Sequence, residues 1–381
     1  WNLYLQGGSG DDDIHWFSIV NSLMIVLFLT GMIAMILTRA LYRDIANYNA
    51  ETSPEDAQDE TGWKLVHGDV FRPPAGFFGP MFLAVFVGSG TQLLTMTLAL
   101  LVFAVLGFLS PANRGGLLTA LILLYVFMGA FAGYVSARLY KMFKGKAWKR
   151  NTLLTALSFP GVVFGIGFVL NFFVWGEGSS QAVPFGTMLA LAVLWFGVSV
   201  PLVFAGSYFG FKKDAAKNPC TVNQIARQIP PQPWYLSPLP SILVGGVLPF
   251  GAVFIELFFI MSSLWLTEVY YVFGYLFLVL AIMVVTCAEI SIVMAYFQLC
   301  SEDFNWWWRS FLIPGSSALY MYLYAVAYFV TKLDITDFTP ALMYFSYMGA
   351  ISWAFFLLTG TVGFLSTLWF VRTIYGAIKI D

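Results

Sequence analysis

The sequence predicts an all-α integral membrane protein: a bundle of nine transmembrane helices. Three observations carry that prediction. First, the 381 residues are 59% hydrophobic and only 10% charged, against about 25% charged in a soluble domain. A chain this apolar needs a bilayer as its solvent. Second, nine apolar stretches reach the roughly 20 residues that crossing a bilayer requires, and they are continuous rather than alternating, as helices are and barrel strands are not. Third, Lys and Arg gather in the segments that alternation places on one side of the membrane.

Residues 1–16 read as the end of a lumenal region, polar and closed by Asp11-Asp12-Asp13. They carry no initiating Met and no signal peptide, so an upstream region is expected before Trp1. The predicted spans are residues 17–38, 81–108, 117–135, 153–175, 185–209, 242–264, 271–299, 311–329 and 341–370, so the membrane domain covers 17–370. The orientation follows from residues 136–152, which hold six basic residues (Arg138, Lys141, Lys144, Lys146, Lys149, Arg150) and no acid. A short Lys/Arg-rich loop between two spans stays in the cytosol. Counting outward, the N-terminus is lumenal and the C-terminus cytosolic, and of the 19 Lys and Arg only Arg114 and Lys332 fall outside. The cytosolic loops are then 39–80, 136–152 and 210–241, with 371–381 as the tail. The last of these loops is proline-rich (Pro230, Pro231, Pro233, Pro238, Pro240) and should run as a stiff extended connector on the membrane surface.

Inside the spans, the pairs Gly129/Gly133, Gly161/Gly165 and Gly206/Gly210 are small-xxx-small signals. They read as close helix packing or as a groove that accepts foreign helices. Pro160 and Pro201 should kink or break their spans. Two carboxylates, Glu256 and Glu289, lie in consecutive spans with no basic residue at that depth, so they read either as neutral acids or as steps of a proton or cation path. Asn171 and Gln92 read as interhelical hydrogen-bonding residues.

No cofactor, metal site or nucleic-acid partner is expected. Cys220, Cys287 and Cys300 form no CxxC pair, His15 and His67 lie on opposite sides, and the basic residues sit beside spans. GxSxG, HExxH and P-loop patterns are absent.

The stretch 62–74, GWKLVHGDVFRPP, leads into the second span. His67, Gly68, Asp69, Phe71, Arg72, Pro73 and Pro74 read as an ordered membrane-surface segment, with Phe71 dipping into the bilayer and Arg72 at the headgroups. With GSGTQLL (88–94), GFLSPANRGGL (107–117), GYVSARLYK (133–141), WGEGSSQAVPFGT (175–187) and FGFKK (209–213), it resembles the nonaspanins, the transmembrane-9 superfamily or endomembrane protein 70 family. The resemblance runs nearly end to end. It implies a β-rich lumenal domain upstream and residence in Golgi and endosomal membranes, with passage to the cell surface as a further expectation. It also implies a non-enzymatic role in sorting membrane proteins with glycine-rich spans, with links to cell adhesion and phagocytosis. Its partners would be the bilayer, cargo membrane proteins and the COPI coat. The final Lys379-Ile380-Asp381 resembles the KxD signal of the family, which that coat reads. The alternative reading is an ion- or proton-coupled transporter, channel or lipid-moving protein using Glu256 and Glu289.

Overall fold

The computed structural model describes residues 11–50, 62–75, 79–108, 114–178, 182–266, 272–333 and 335–377. It describes backbone alone at 11–19, 47–50, 114–115, 255–266 and 272–275, and at scattered positions of the first helix. The described residues form helices joined by turns and extended connectors. In chain order these are α1 (Asp11–Ala50), α2 (Pro80–Val105), α3 (Arg114–Phe127), α4 (Gly129–Met142), α5 (Trp148–Gly176), α6 (Phe185–Leu194), α7 (Val200–Lys212), α8 (Pro238–Leu266), α9 (Val272–Cys300), α10 (Trp306–Gly315), α11 (Ser317–Lys332) and α12 (Phe338–Ala377). Three predicted spans are built from two helices each: α3 with α4, α6 with α7, and α10 with α11. Eight helical segments among the described residues are long and apolar enough to cross a membrane. The remaining span is α8, apolar over its described portion Pro238–Phe254.

The helices outrun the apolar stretches. α1 continues to Ala50, well past the predicted membrane edge at 38. The basic segment 136–152 is mostly helical, because α4 runs to Met142 and α5 starts at Trp148. Hydropathy marks where lipid ends, whereas a helix ends where its backbone hydrogen bonds stop, and long Lys and Arg stems let it continue into water.

Each broken span has a local cause. Pro201 sits in the first turn of α7, and a π-helical turn at Trp195–Ser199 joins α6 to it. Proline removes one i→i−4 bond, and the wider turn absorbs the mismatch. Pro160 leaves α5 continuous. The ring takes away the donor for the carbonyl four residues earlier, Ala156, and the Trp195 indole N–H donates to that carbonyl instead at 3.1 Å. Where α3 gives way to α4 at Met128, the Gln92 amide donates to the Tyr125 carbonyl at 2.7 Å. Pro314 lies at the end of α10, and the Ser316 and Ser317 hydroxyls donate to the Ile313 and Pro314 carbonyls there.

Candidate functional site

Two features hold the residues that the sequence singles out: a polar cap at the end of the bundle that carries the basic loop, and the glycine-lined helix contacts.

The cap is built on segment 62–74. A 3-10 turn, Trp63–Val66, buries both of its end residues. Three aromatic donors then fix the backbone: Tyr375 Oη to the Trp63 carbonyl at 2.6 Å, Trp306 Nε1 to Val70 at 2.8 Å and Trp307 Nε1 to Arg72 at 2.7 Å. Trp and Tyr suit this task because each brings a large apolar body with one polar tip. The Trp306 and Trp307 rings stack at 4.0 Å, and Trp63 meets Tyr375 edge-on at 5.3 Å.

The expected bilayer contact of Phe71 is corrected here. Phe71 is only 3% exposed and packs against Tyr375 inside the protein, not in lipid. Arg72 is held by protein: its Nε donates to Asp69 Oδ1 at 2.9 Å and its Nη2 to the Asn223 carbonyl at 2.8 Å. The buried Asp69 carboxylate needs such a partner. Asp69 Oδ2 also accepts from the Arg227 N–H at 3.3 Å. His67 Nδ1 donates to the Lys64 carbonyl at 2.9 Å, so it and Asp69 are held separately. Gly68 is required by close approach. Its carbonyl accepts from the Asn223 N–H at 2.8 Å, and a Cβ there would collide with the Asn223 side chain. Pro73 and Pro74 carry the chain on, half-buried, toward α2.

The cap therefore seats the connector between α7 and α8, which is extended as its prolines predict. Arg227 pairs with Glu302 at 3.0 Å, and Gln232 donates to the Ser301 carbonyl at 2.8 Å. Asp303 and Arg309 form an ion pair at 2.9 Å, with side chains 4% and 11% exposed. Arg309 also donates to the Leu236 carbonyl at 3.0 Å. This pair and the Trp306–Trp307 stack were missed in the sequence. A run of tryptophans directly after SEDFN, at the head of a span, was the available signal: indole N–H groups entering a bilayer need acceptors.

Of the glycine pairs, two make one contact. Gly129 and Gly133 on α4 face Gly206 and Gly210 on α7. A Cβ on Gly133 would meet the Val203 carbonyl, and one on Gly206 the Ala130 carbonyl. Hydroxyl pairs continue the contact into α5, with Ser136 and Thr155 at 2.9 Å and Thr152 beside Ser207 at 2.5 Å. Gly161 and Gly165 are not part of it. Gly165 has no heavy atom within 4 Å of a built Cβ, and Gly161 has only the Trp195 ring, at 3.8 Å. Beyond Pro160 the outer face of α5 carries an exposed aromatic run, Phe168, Phe172 and Trp175. Asn171 ties α5 to the start of α6, exchanging hydrogen bonds with Val183 at 3.0 and 2.8 Å.

A family model described as Endomembrane protein 70 matches residues 1–338. The chain belongs to that family, the transmembrane 9 superfamily. This nonaspanin chain is 63% identical, over its whole length, to Transmembrane 9 superfamily member 9 of Arabidopsis thaliana, of which it covers 58%. It is 55% identical over its whole length to Transmembrane 9 superfamily member 4 of Homo sapiens, covering 59% of that protein. Over 97% of its length it is 56% identical to Homo sapiens member 2, covering 55%. The nonaspanin chain thus spans rather more than half the length of these relatives. No solved structure matches it.

Glu289 stands on α9 facing α1, with the Thr30 hydroxyl beside its carboxyl and one buried oxygen, Oε1, without a hydrogen-bond partner among the described residues. The Glu256 side chain and the whole of Lys379-Ile380-Asp381 lie outside the described residues. Among the described residues no three His, Cys, Asp or Glu side chains come together as a metal site.

Proposed function

We propose that this nonaspanin is a non-enzymatic sorting factor of Golgi and endosomal membranes that recognises the spans of other membrane proteins. The observation that carries the reading is the open face of α5. Gly165 approaches nothing of its own chain and Gly161 only the edge of the Trp195 ring at 3.8 Å, while the same motif on α4 and α7 is closed by a partner helix. A second membrane-spanning helix laid on Gly161 and Gly165 would gain the close backbone approach that Gly133 and Gly206 gain internally. The family name, endomembrane protein, agrees with the location. In this reading the basic cap faces the cytosol, and Lys379-Ile380-Asp381 is the address read by the COPI coat.

The test is site-specific photocrosslinking in cells. A crosslinker at Val162 or Phe168 should capture membrane proteins, one at the exposed Leu323 of α11 should not, and Gly165→Leu should abolish capture. Equal capture at Phe168 and Leu323 would refute recognition at α5. Lys379→Ser should shift the protein from Golgi toward the cell surface.

The unpartnered Glu289 oxygen favours a second reading, proton- or cation-coupled transport. Loss of a proton-driven flux from liposomes on Glu289→Gln, with the fold intact, would establish it in place of sorting.

A further inference from the structure

We infer that the exposed cationic corner between α4 and α5 is a docking surface for polyphosphorylated lipid headgroups in the leaflet it adjoins. The inference stands on the fate of each basic residue of the 136–152 segment and does not depend on the sorting reading.

Two of the six are used internally. Arg138 donates to the Asp214 carbonyl, and Lys141 Nζ to the carbonyls of Phe211 and Lys213 at 2.7 and 2.6 Å. These two cations close the C-terminal end of α7, whose last carbonyls have no intrahelical partner. Nearby, Arg372 is spent in the same way on the Lys217 carbonyl at 2.6 Å. The remaining four, Lys144, Lys146, Lys149 and Arg150, are all exposed, and none has a carboxylate partner among the described residues.

The corner that presents them is fixed. The Lys144 and Gly145 N–H groups bond back to the Lys141 and Tyr140 carbonyls, both at 3.0 Å. That closure puts Lys144 at φ +58°, a left-handed position where glycine is the unstrained choice. Gly145 cannot take over the role of a side-chain-bearing residue, because a Cβ there would strike the Tyr140 ring. A lysine is therefore held in a strained backbone position with its side chain in solvent.

Trp148 sets the depth. It is 42% exposed, packs on Phe211 with ring centroids 6.3 Å apart, and opens the apolar span Trp148–Gly176. An exposed tryptophan at the head of a span belongs at the headgroup level. Lys149 Nζ lies 5.7 Å from its ring centroid. No acidic residue in the first turn of α5 offsets the positive end of the helix. Four cations within seven residues at headgroup depth match a headgroup with several phosphate charges better than a singly charged one, because one ordered ligand then neutralises them together.

The test uses the full chain in detergent, titrated with short-chain phosphatidylinositol bisphosphate, phosphatidylserine and phosphatidylcholine, with bound lipid read by native mass spectrometry. The bisphosphate should bind roughly ten-fold or more tighter than phosphatidylserine, and each cation removed should weaken it roughly five-fold. Lys144→Gly relieves the backbone, so it should keep or raise the melting temperature while losing affinity. Lys144→Gly/Lys146→Gln/Lys149→Gln/Arg150→Gln should bind the bisphosphate no better than phosphatidylcholine. If that variant does not fold, Lys144→Gly and Lys146→Gln decide singly. Undiminished binding in those variants, or no preference among the three lipids, overturns the inference. Inositol trisphosphate binding as tightly as the lipid would make this a free-phosphate site, and polyglutamate binding more tightly would make it a protein site. Either result also overturns it.

Discussion

The half of the bundle that carries the basic cap and the half beyond Pro160 are both apolar enough to cross a membrane, yet they pack differently. In α2, in the α10–α11 span and in α12, 56%, 56% and 61% of the apolar window is buried inside the protein. In α5 and in the α6–α7 span the figure is 17%. Apolarity does not bring burial inside the protein, because α5 and α6–α7 are the more apolar of them. The difference teaches what holds helices together in lipid. Lipid tails are as apolar as leucine, so burial alone supplies little force, and association depends on close backbone approach and on hydrogen bonds. Close packing uses both: the α4–α7 contact at Gly133 and Gly206 supplies the approach at one end of the otherwise open α6–α7 span, and the Trp306, Trp307 and Tyr375 donors supply the hydrogen bonds in the packed half. Beyond Pro160, α5 has Gly165 with nothing against it, Gly161 with only the Trp195 ring at 3.8 Å, and one amide, Asn171, for its connection to α6.

The largest expected effect is in the packed half. Arg309→Ala leaves the buried Asp303 carboxylate without a counter-ion, with only the Asn305 N–H on its Oδ1, at a cost of about 3–5 kcal/mol, read as loss of folded protein in a thermal-stability assay. Asp303→Asn/Arg309→Met should recover most of it. A comparable loss in the double variant would mean that the packing, not the charge, matters there.

Next, Gly206→Leu forces α4 and α7 apart and should cost about 2–3 kcal/mol. Gly165→Leu should change stability by no more than about 0.5 kcal/mol, as at an open surface. Similar losses at both positions would erase the distinction between the halves.

Trp195→Phe probes the bond that joins the two. It leaves the Ala156 carbonyl without its donor and should cost about 1 kcal/mol, with faster hydrogen exchange confined to α5 beyond Ala156. Exchange that spreads into α4 and α7 would show that the halves unfold as one.

The smallest effect at neutral pH concerns Cys220, on the cap connector outside the spans. Burial pushes its thiol up to about 11. The fold favours the protonated form, so this stabilisation is whole below the ordinary thiol range and is lost as pH rises toward 11. Alkylation of Cys220 should therefore stay slow at pH 8 and accelerate only near 11. Rapid labelling at pH 8 would mean that the cap opens readily.

Much of this was legible in the sequence. The spans follow from length and apolarity, the extended connector from its prolines, and the α3–α4 and α6–α7 spans contain the glycine pairs that meet. Pro201 announced the break at the π turn. The cap was not legible in the same way. Phe71 and Arg72 look like membrane-surface residues because a sequence shows their chemistry but not their neighbours. Tyr375 lies 312 positions from Trp63, and no local pattern connects them. The Gly161/Gly165 pair is identical in pattern to the two that pack, and only the position of the next helix tells them apart.

The sequence by itself determined which segments are apolar enough to cross a membrane and where the basic residues cluster, because hydration of charge and burial of apolar surface act on each segment almost independently of the rest. Tertiary structure alone decided which glycines are closed, which cations are spent on carbonyls and which stay exposed. Those outcomes depend on a second segment arriving within about 3 Å, the length of a hydrogen bond, and a linear pattern holds no record of that distance.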